Sequence, residues 1–182
     1  TVNGVDYTAD DRTITLTYNG QDITAGTEDG SVLKIATNHT GYNADCLTWT
    51  VVKNAGNYVL KIAVAADGAY NAISEVSYTI VVKQVEIAST NIAITNNTTS
   101  KDLLDGNAKW TEADFTITYN GETLPDEFSG LYQIAITNGE VAEATAEHTL
   151  TVELTLTAQA SVNYVLTGTD VAEGKLSKQF VV

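Results

Sequence analysis

Residues that serve nucleophilic catalysis are scarce in this sequence. Two histidines, His39 and His148, and one cysteine, Cys46, supply every imidazole and thiol of the 182-residue chain. A serine or cysteine nucleophile needs a histidine within hydrogen-bonding reach to accept its proton. His39 lies in a turn-like Asn-His-Thr-Gly stretch, Cys46 precedes a strand-like run, and no Gly-x-Ser-x-Gly motif occurs. We therefore expect no enzymatic activity.

Acidic clusters suggest two other kinds of chemistry. Paired carboxylates can hydrolyse a glycosidic bond, and several carboxylates in adjoining loops can bind calcium. The clusters, all in polar and turn-like stretches, are Asp10-Asp11, Glu28-Asp29, Asp126-Glu127 and Glu140 with Glu143. Solvated surface acids are usual in such stretches, so we do not predict glycoside hydrolysis. Calcium is the only cofactor left open, and its candidate ligands, in the loops flanking one predicted hairpin, are Asp10, Asp11, Glu28 and Asp29.

Exposed aromatic rings would indicate carbohydrate binding, because a ring face stacks against a sugar. The candidate platforms are Trp110, Tyr42, Tyr7 and Tyr132. Trp110 leads because its neighbours in Lys-Trp-Thr-Glu are polar, although packing at the edge of a sheet would also explain it. Trp49 alternates in phase with apolar residues, which predicts a buried core position.

The net charge of the chain indicates which kinds of partner it would repel. The chain carries 23 acidic and nine basic residues, a net charge of −14. Such a surface repels phosphate backbones and anionic headgroups, so we expect neither nucleic-acid binding nor membrane insertion. No apolar run approaches the roughly 20 residues that span a bilayer. Because Cys46 is the only cysteine, neither an intrachain disulfide nor a thiolate metal cage can form.

The elements that would position these residues are strands. Thr13 to Tyr18 alternates threonine with apolar residues, a period of two that predicts a half-buried strand. Asn19-Gly20 follows, a pair that favours a two-residue hairpin turn. Further alternating runs are Leu47–Val51, Tyr58–Val64, Val76–Ile80, Val85–Ile87, Ile92–Ile94 and Leu150–Leu156. Helical periods of useful length are missing, and any helix is confined to short turns near Lys101–Leu104 or Ala142–Glu147, so the chain is predicted to be all-β.

A long internal repeat divides the chain. Ile14–Gly20 recurs as Phe115–Gly121, about 100 residues later, and the stretch ending at Val82 matches the one ending at Val182. A period this long indicates whole domains, since solenoid units run about 20–50 residues. The predicted domains are 1–82 and 83–182, with almost no linker between them and hence a semi-rigid joint. The first domain has little room for a counterpart of the segment 85–104. It therefore either lacks its opening strand or closes its sheet differently. A missing strand would leave an open sheet edge. Thr1 and the absence of methionine suggest an excised fragment.

Several short motifs resemble the immunoglobulin-like repeats of large bacterial cell-surface proteins. They are the Ala-Gly-x-Tyr stretch at Ala55–Tyr58, the Tyr-Asn turn at Tyr70-Asn71, the closing strand Tyr78–Ile80 and the Tyr-Asn-Gly hairpins. The second half keeps Tyr119-Asn120-Gly121 and Asn163-Tyr164 but has no Ala-Gly-x-Tyr. The resemblance implies two tandem immunoglobulin-like β-sandwich domains. It also implies a non-catalytic structural or adhesive role, as stalk or spacer repeats of an exported bacterial surface protein that is located outside the cell.

The expected partners are neighbouring repeats of the same chain and a host or plant glycan or protein. Two other functions stay open, namely a pair of carbohydrate-binding modules in a polysaccharide-degrading system and a self-assembling surface-layer or pilin subunit. Domains of this appearance in pilins also carry Lys–Asn isopeptide cross-links. Lys34 and Lys61 alternate with apolar residues, and Asn57 or Asn71 would be the partner.

Overall fold

The computed structural model describes residues 10–68, 70–102, 108–123, 130–142 and 147–182. The described chain is mostly β-strand, which confirms the all-β prediction. Its helical segments are three-residue 3-10 turns, at Ala44–Cys46, Ser89–Asn91, Glu112–Asp114 and Ala160–Val162. The two regions predicted to hold at most a short helix, Lys101–Leu104 and Ala142–Glu147, lie mostly outside the described residues.

The chain separates into two compact units, Thr1–Val85 and Glu86–Val182. The division falls about three residues after the boundary placed from the repeat. Each unit has a hydrophobic core made from its own residues.

The strands of the first unit are β1 (Thr13–Thr17), β2 (Ala25–Gly26), β3 (Leu33–Lys34), β4 (Leu47–Thr48), β5 (Gly56–Val64) and β6 (Ile73–Lys83). Four of them form one sheet in the order β1-β6-β5-β4. Strand β1 runs parallel to β6, from Thr13 beside Thr79 to Thr17 beside Lys83. The other pairs in this sheet are antiparallel. Strands β2 and β3 form a separate two-residue parallel pair.

The core of the first unit lies on the inner face of this sheet. The period of two in β1 places Ile14 and Leu16 inside while its threonines are exposed, as predicted. Ile80, in the second half of β6, is fully buried. Trp49 is half-buried and packs against the core, with its indole Nε1 donating to the carbonyl of Ile23 at 3.0 Å.

The second unit contains β8 to β17 and all of β7 except its first residue, Val85. Their bounds are β7 (Val85–Ala88), β8 (Ile92–Asn96), β9 (Ala108–Lys109), β10 (Phe115–Tyr119), β11 (Glu122–Thr123), β12 (Tyr132–Thr137), β13 (Glu140–Val141), β14 (Thr149–Leu156), β15 (Tyr164–Thr167), β16 (Val171–Ala172) and β17 (Lys175–Val181). The larger sheets have the orders β12-β14-β17-β16 and β11-β10-β8, and two short pairs join β13 to β9 and β15 to β7. One core takes residues from both larger sheets, among them Ile94, Ile117, Leu150 and Leu176.

Both units have a pair of long antiparallel strands at their centre. The long last strand, β6 or β17, pairs antiparallel with the long strand before it, β5 or β14. Tyr58 lies opposite Ile80 in the first unit, and Leu150 lies opposite Phe180 in the second. The repeated opening segments differ, however, because β1 pairs with the last strand whereas β10 pairs with β8 and β11.

The two Asn-Gly pairs also behave differently. Asn120 and Gly121 have φ of 53° and 80° and connect β10 to β11 in a two-residue hairpin, as predicted. At Asn19-Gly20 the hairpin prediction is wrong, because only Gly20 has a positive φ and the chain beyond it bridges at Ile23 to Val52 instead of turning back on β1. The side-chain oxygen of Asn19 accepts a hydrogen bond from the amide of Gln21 at 3.0 Å.

Candidate functional site

The leading aromatic candidate is a core residue. Trp110 directly follows β9, and its side chain is 5% exposed. The indole Nε1 donates to the carbonyl of Thr98 at 2.8 Å, and the Lys101 ammonium lies 5.6 Å from the ring centre. The interpretation of Trp110 as an exposed sugar platform is therefore wrong, and it packs as an edge residue. The missed signal is that Ala108 and Trp110 alternate with polar Lys109 and Thr111, a strand pattern that places both inside.

A buried ionic cluster lies beside that indole. Asp114 ends a 3-10 turn, and its carboxylate accepts hydrogen bonds from the amide of Thr111 at 2.7 Å and from the Lys101 ammonium at 2.6 Å. The same ammonium donates to the carbonyl of Lys109 at 2.7 Å. The Lys101 side chain is thereby bonded both to the end of β9 and to the turn that follows it. The spacing of Thr111 and Asp114 matches a capping box, a sequence signal that our predictions did not include.

The electrostatics of this cluster favour a structural role. Burial would raise the pKa of Asp114, but hydrogen bonds from Lys101, Thr111 and Thr98, together with the lysine charge, lower it to about 2. A carboxyl group with that pKa remains ionised at neutral pH and cannot act as a general acid there. One carboxylate oxygen, Oδ2, accepts from the Lys101 ammonium and from both the amide and the hydroxyl of Thr111, so the cluster holds the turn in place.

The three tyrosine candidates differ in their surroundings. Tyr132 is half-buried on β12 and packs against the core of the second unit. Tyr42 is half-buried in the first unit, where burial and then the neighbouring Cys46 raise the pKa of its phenol. Tyr7 lies outside the described residues.

His39 connects two loops of the first unit. The ring is 8% exposed and lies 5.1 Å, centre to centre, from the ring of Tyr70. Its Nδ1 accepts from the amide of Gly41 at 3.0 Å, which leaves the proton on Nε2 for donation to the carbonyl of Asn71 at 2.9 Å. The imidazole is thus engaged at both nitrogens by backbone groups. Cys46 contacts the same loop, with its thiol donating to the carbonyl of Gly41 at 3.6 Å.

The other histidine also contacts the backbone. The Nε2 of His148 lies 2.6 Å from the carbonyl oxygen of Asn138, and His148 directly precedes the first residue of β14. Both imidazoles therefore bind main-chain atoms and help to position loops, a structural use that differs from activating a nucleophile.

The candidate calcium ligands do not form a site. Asp10 and Asp11 are exposed ahead of β1, whereas Glu28 and Asp29 are exposed in the turn between β2 and β3. Asp29 forms an ion pair with Lys34, and that hydrogen bond and charge lower the pKa of its carboxyl group. Within the described parts of the chain, no three His, Cys, Asp or Glu side chains are grouped so that they could hold a metal ion. The prediction of a calcium site formed by these four residues is wrong, because no three of them are grouped closely enough to hold one ion.

The lysines considered for an isopeptide link are surface residues. Lys34 pairs with Asp29, and Lys61 pairs with Glu75 at 2.9 Å. Their side chains are 40% and 43% exposed. An isopeptide bond requires a lysine shielded from water, so neither residue suits one and that hypothesis is wrong.

A concave pocket lies at the end of β1 in the first unit. Its volume is about 110 Å³. Its lining includes the half-buried ring of Tyr18 and the polar side chains of Asn19, Gln21, Asp22 and Lys53. The sequence pattern of Tyr18-Asn19-Gly20 indicated only a turn, and no pocket was predicted there. Polar side chains with charges of both signs suit a small polar ligand, although the volume is below the roughly 300–1,000 Å³ of a typical ligand pocket.

Comparison with protein-family models, curated proteins and solved structures gives no significant match. Since the described helical segments are single 3-10 turns, none is long enough to cross a membrane.

Proposed function

We propose that the chain is a pair of tandem immunoglobulin-like β-sandwich modules that serves as a non-catalytic structural or adhesive segment of an exported bacterial surface protein. The observation that carries the proposal is that the chain forms two separately cored β units in direct succession. Strand β6 ends at Lys83 and β7 begins at Val85, so Gln84 alone connects them. A stalk or spacer needs folded units joined without a long flexible linker.

The use of the reactive side chains supports a role without catalysis. His39 binds backbone groups through both ring nitrogens, Asp114 is an ionised turn cap, and Trp110 is a core residue. Each of these groups stabilises a loop or a turn. In an active site we would expect some of them to face a cleft with hydrogen-bonding capacity left for a substrate.

The immunoglobulin-like assignment is supported by the strand arrangement. In the second unit both larger sheets contribute to one core, as two layers in a sandwich do. In the first unit the last strand lies between β1 and β5 and carries the fully buried Ile80.

Surface exposure tests the proposal. An antibody raised against the folded chain should label intact cells of the source organism, and brief external proteolysis should remove that signal while a cytoplasmic marker protein persists. Labelling that requires lysis of the cells would contradict export and with it the proposed role.

Glycan binding is a second candidate, favoured by the Tyr18 pocket alone. The test is a glycan array with the whole chain and with the variants Gln21→Ala and Lys53→Ala. Both residues line the pocket and are exposed, so their replacement should leave the fold intact. Specific binding that both variants abolish would support an adhesive role, whereas binding unaffected by them would exclude this pocket.

Concentration-dependent polymers in analytical ultracentrifugation would instead favour a self-assembling subunit.

A further inference from the structure

The first and last described strands of the first unit are directly hydrogen-bonded to each other. Strand β1 lies parallel to β6 over five residue pairs, from Thr13 beside Thr79 to Thr17 beside Lys83. Two more backbone bonds extend the ladder at its ends, from the amide of Thr79 to the carbonyl of Arg12 at 2.7 Å and from the amide of Tyr18 to the carbonyl of Lys83 at 2.9 Å. The two strands through which the described chain enters and leaves the unit are therefore paired.

The parallel pairing of β1 with β6 determines how the first unit resists a pulling force. Pulling on the chain ahead of β1 draws that strand toward its Thr13 end, and pulling on the chain after β6 draws that strand toward its Lys83 end. Because the strands are parallel, the two forces act in opposite directions along one axis. The backbone bonds of the ladder are then loaded together in shear and cannot open one after another. Sliding β1 would also withdraw the buried side chains of Ile14 and Leu16 from the core.

The second unit has a different load path. Its first strands, β7 and β8, pair with β15 and β10, and its last strand, β17, pairs with β14 and β16. Among the described strands of this unit, neither β7 nor β8 is in a ladder with β17. No backbone ladder between described strands therefore links the entering strands of this unit directly to β17, and the sheet that contains β17 is joined to β8 by side-chain contacts, such as the hydrogen bond from the Lys178 ammonium to the carbonyl of Ile94 at 2.9 Å. Side-chain contacts are non-directional and can break one after another under load. The hydrogen bonds of a sheared ladder must break together.

We propose that the β1–β6 pair is a mechanical clamp, and that under tension the second unit unfolds before the first. The biological use of this property rests on the proposed structural role, but the property itself follows from strand pairing alone. A reversed unfolding order would refute the clamp and leave the surface-labelling result untouched. Absence from the cell surface would refute the role and leave the clamp intact.

Single-molecule force spectroscopy of the whole chain, held by handles at its two ends, tests the clamp. The two units differ in length, Asp10–Lys83 against Glu86–Val182, so their unfolding events are distinguishable. At roughly 3.4 Å per residue the released chain is about 250 Å for the first unit and about 330 Å for the second, before the folded spans are subtracted. We expect the longer release first, at the lower force. The longer release at the higher force, or equal forces for both, would overturn the proposal.

A cross-linked variant assigns the shorter event. Thr15 and Val81 are paired residues whose side chains point away from the core. Neighbouring strands lie about 4.8 Å apart, within the range of Cα separations that a disulfide spans. Thr15→Cys with Val81→Cys, in a Cys46→Ala background, should therefore abolish most of the shorter release under oxidising conditions. Reductant should restore it, and the longer release should be unchanged throughout. Failure of the two cysteines to form a disulfide would contradict the pairing of β1 with β6, and a shorter release that persists with the disulfide formed would show that this event does not come from the first unit.

Discussion

Replacement of Asp114 by asparagine should selectively destabilise the second unit. The carboxylate is 8% exposed and accepts the Lys101 ammonium at 2.6 Å and the Thr111 amide at 2.7 Å. Asparagine keeps the size of the side chain and one oxygen for the turn. It removes the negative charge, however, and leaves the Lys101 ammonium beside Trp110 without its counter-ion.

The lowered pKa of Asp114 gives the size of the expected loss in folding stability. The fall from the ordinary 3.8 to about 2 corresponds to about 1–2 kcal/mol of folding free energy once solvent screening is allowed for. Because the pKa is lower in the folded state, this stability is fully present above the unfolded value and is lost as the pH falls toward 2. The unpaired lysine adds to the loss, so we expect Asp114→Asn to lower the stability by about 2 kcal/mol at pH 7. For a unit of about 100 residues this lowers Tm by about 8–16 °C.

Tryptophan fluorescence can follow each unit separately. The chain has two tryptophans, Trp49 in the first unit and Trp110 beside the ionic cluster. In a Trp49→Phe background, thermal unfolding would be recorded from Trp110 at pH 7, 4 and 2. The parent should lose about 1–2 kcal/mol more than Asp114→Asn does between pH 4 and pH 2. The control is Glu140→Gln, which removes an ion pair with Lys109 whose side chains are both at least 60% exposed and should change little. Equal effects of the two substitutions, or equal pH dependence of parent and Asp114→Asn, would refute the reasoning.

Contacts elsewhere in the two units predict four further outcomes. Trp110→Ala should destabilise the second unit by about 3–5 kcal/mol, measured by urea denaturation, because the indole is buried and bonded to Thr98; a loss below about 1 kcal/mol would contradict core packing. His39→Ala should destabilise the first unit by about 1–3 kcal/mol, since it leaves the Gly41 amide and the Asn71 carbonyl without their ring partners; Trp49 fluorescence checks it, and the Trp110 transition is the control. Gly121→Ala should lower the stability of the second unit by about 1 kcal/mol. The cost comes from the φ of 80°, which alanine adopts unfavourably, and not from a clash, because a Cβ there would meet no atom within 4 Å. An unchanged denaturation midpoint would contradict the left-handed turn. Millimolar calcium should leave both transitions unchanged, because the candidate carboxylates are not grouped; a rise in Tm with calcium concentration would contradict that arrangement.

Local patterns in the sequence predicted which residues face inward better than which strands are neighbours. The alternation in β1 correctly separated buried Ile14 and Leu16 from exposed threonines. Nothing in that alternation specifies a partner strand, so the parallel pairing with β6 was not predicted. The same limit explains the two Asn-Gly pairs. Asn120-Gly121 forms the expected hairpin because β11 follows to pair with β10, whereas the chain after Asn19-Gly20 pairs elsewhere, with Ile23 bridged to Val52.

The candidate sites were predicted less well, for two physical reasons. Trp110 was judged by its polar neighbours, yet in a strand adjacent residues point to opposite faces, and the buried residue two positions earlier, Ala108, was the better indicator. The calcium and isopeptide hypotheses depended on distances between loops, which spacing along the chain does not determine. The Asp114 cluster was foreseeable in part, because Thr111 and Asp114 have capping-box spacing, but the contribution of Lys101 depends on the fold.

Amide hydrogen exchange tests most directly whether the repeat encodes two β units, each with its own core. We expect two separate sets of slowly exchanging amides, one in β5 and β6 around Ile80 and one in β14 and β17 around Leu150 and Val152, since these residues are the most deeply buried. A single protected set confined to one half of the chain, or protection concentrated outside these four strands, would contradict the account.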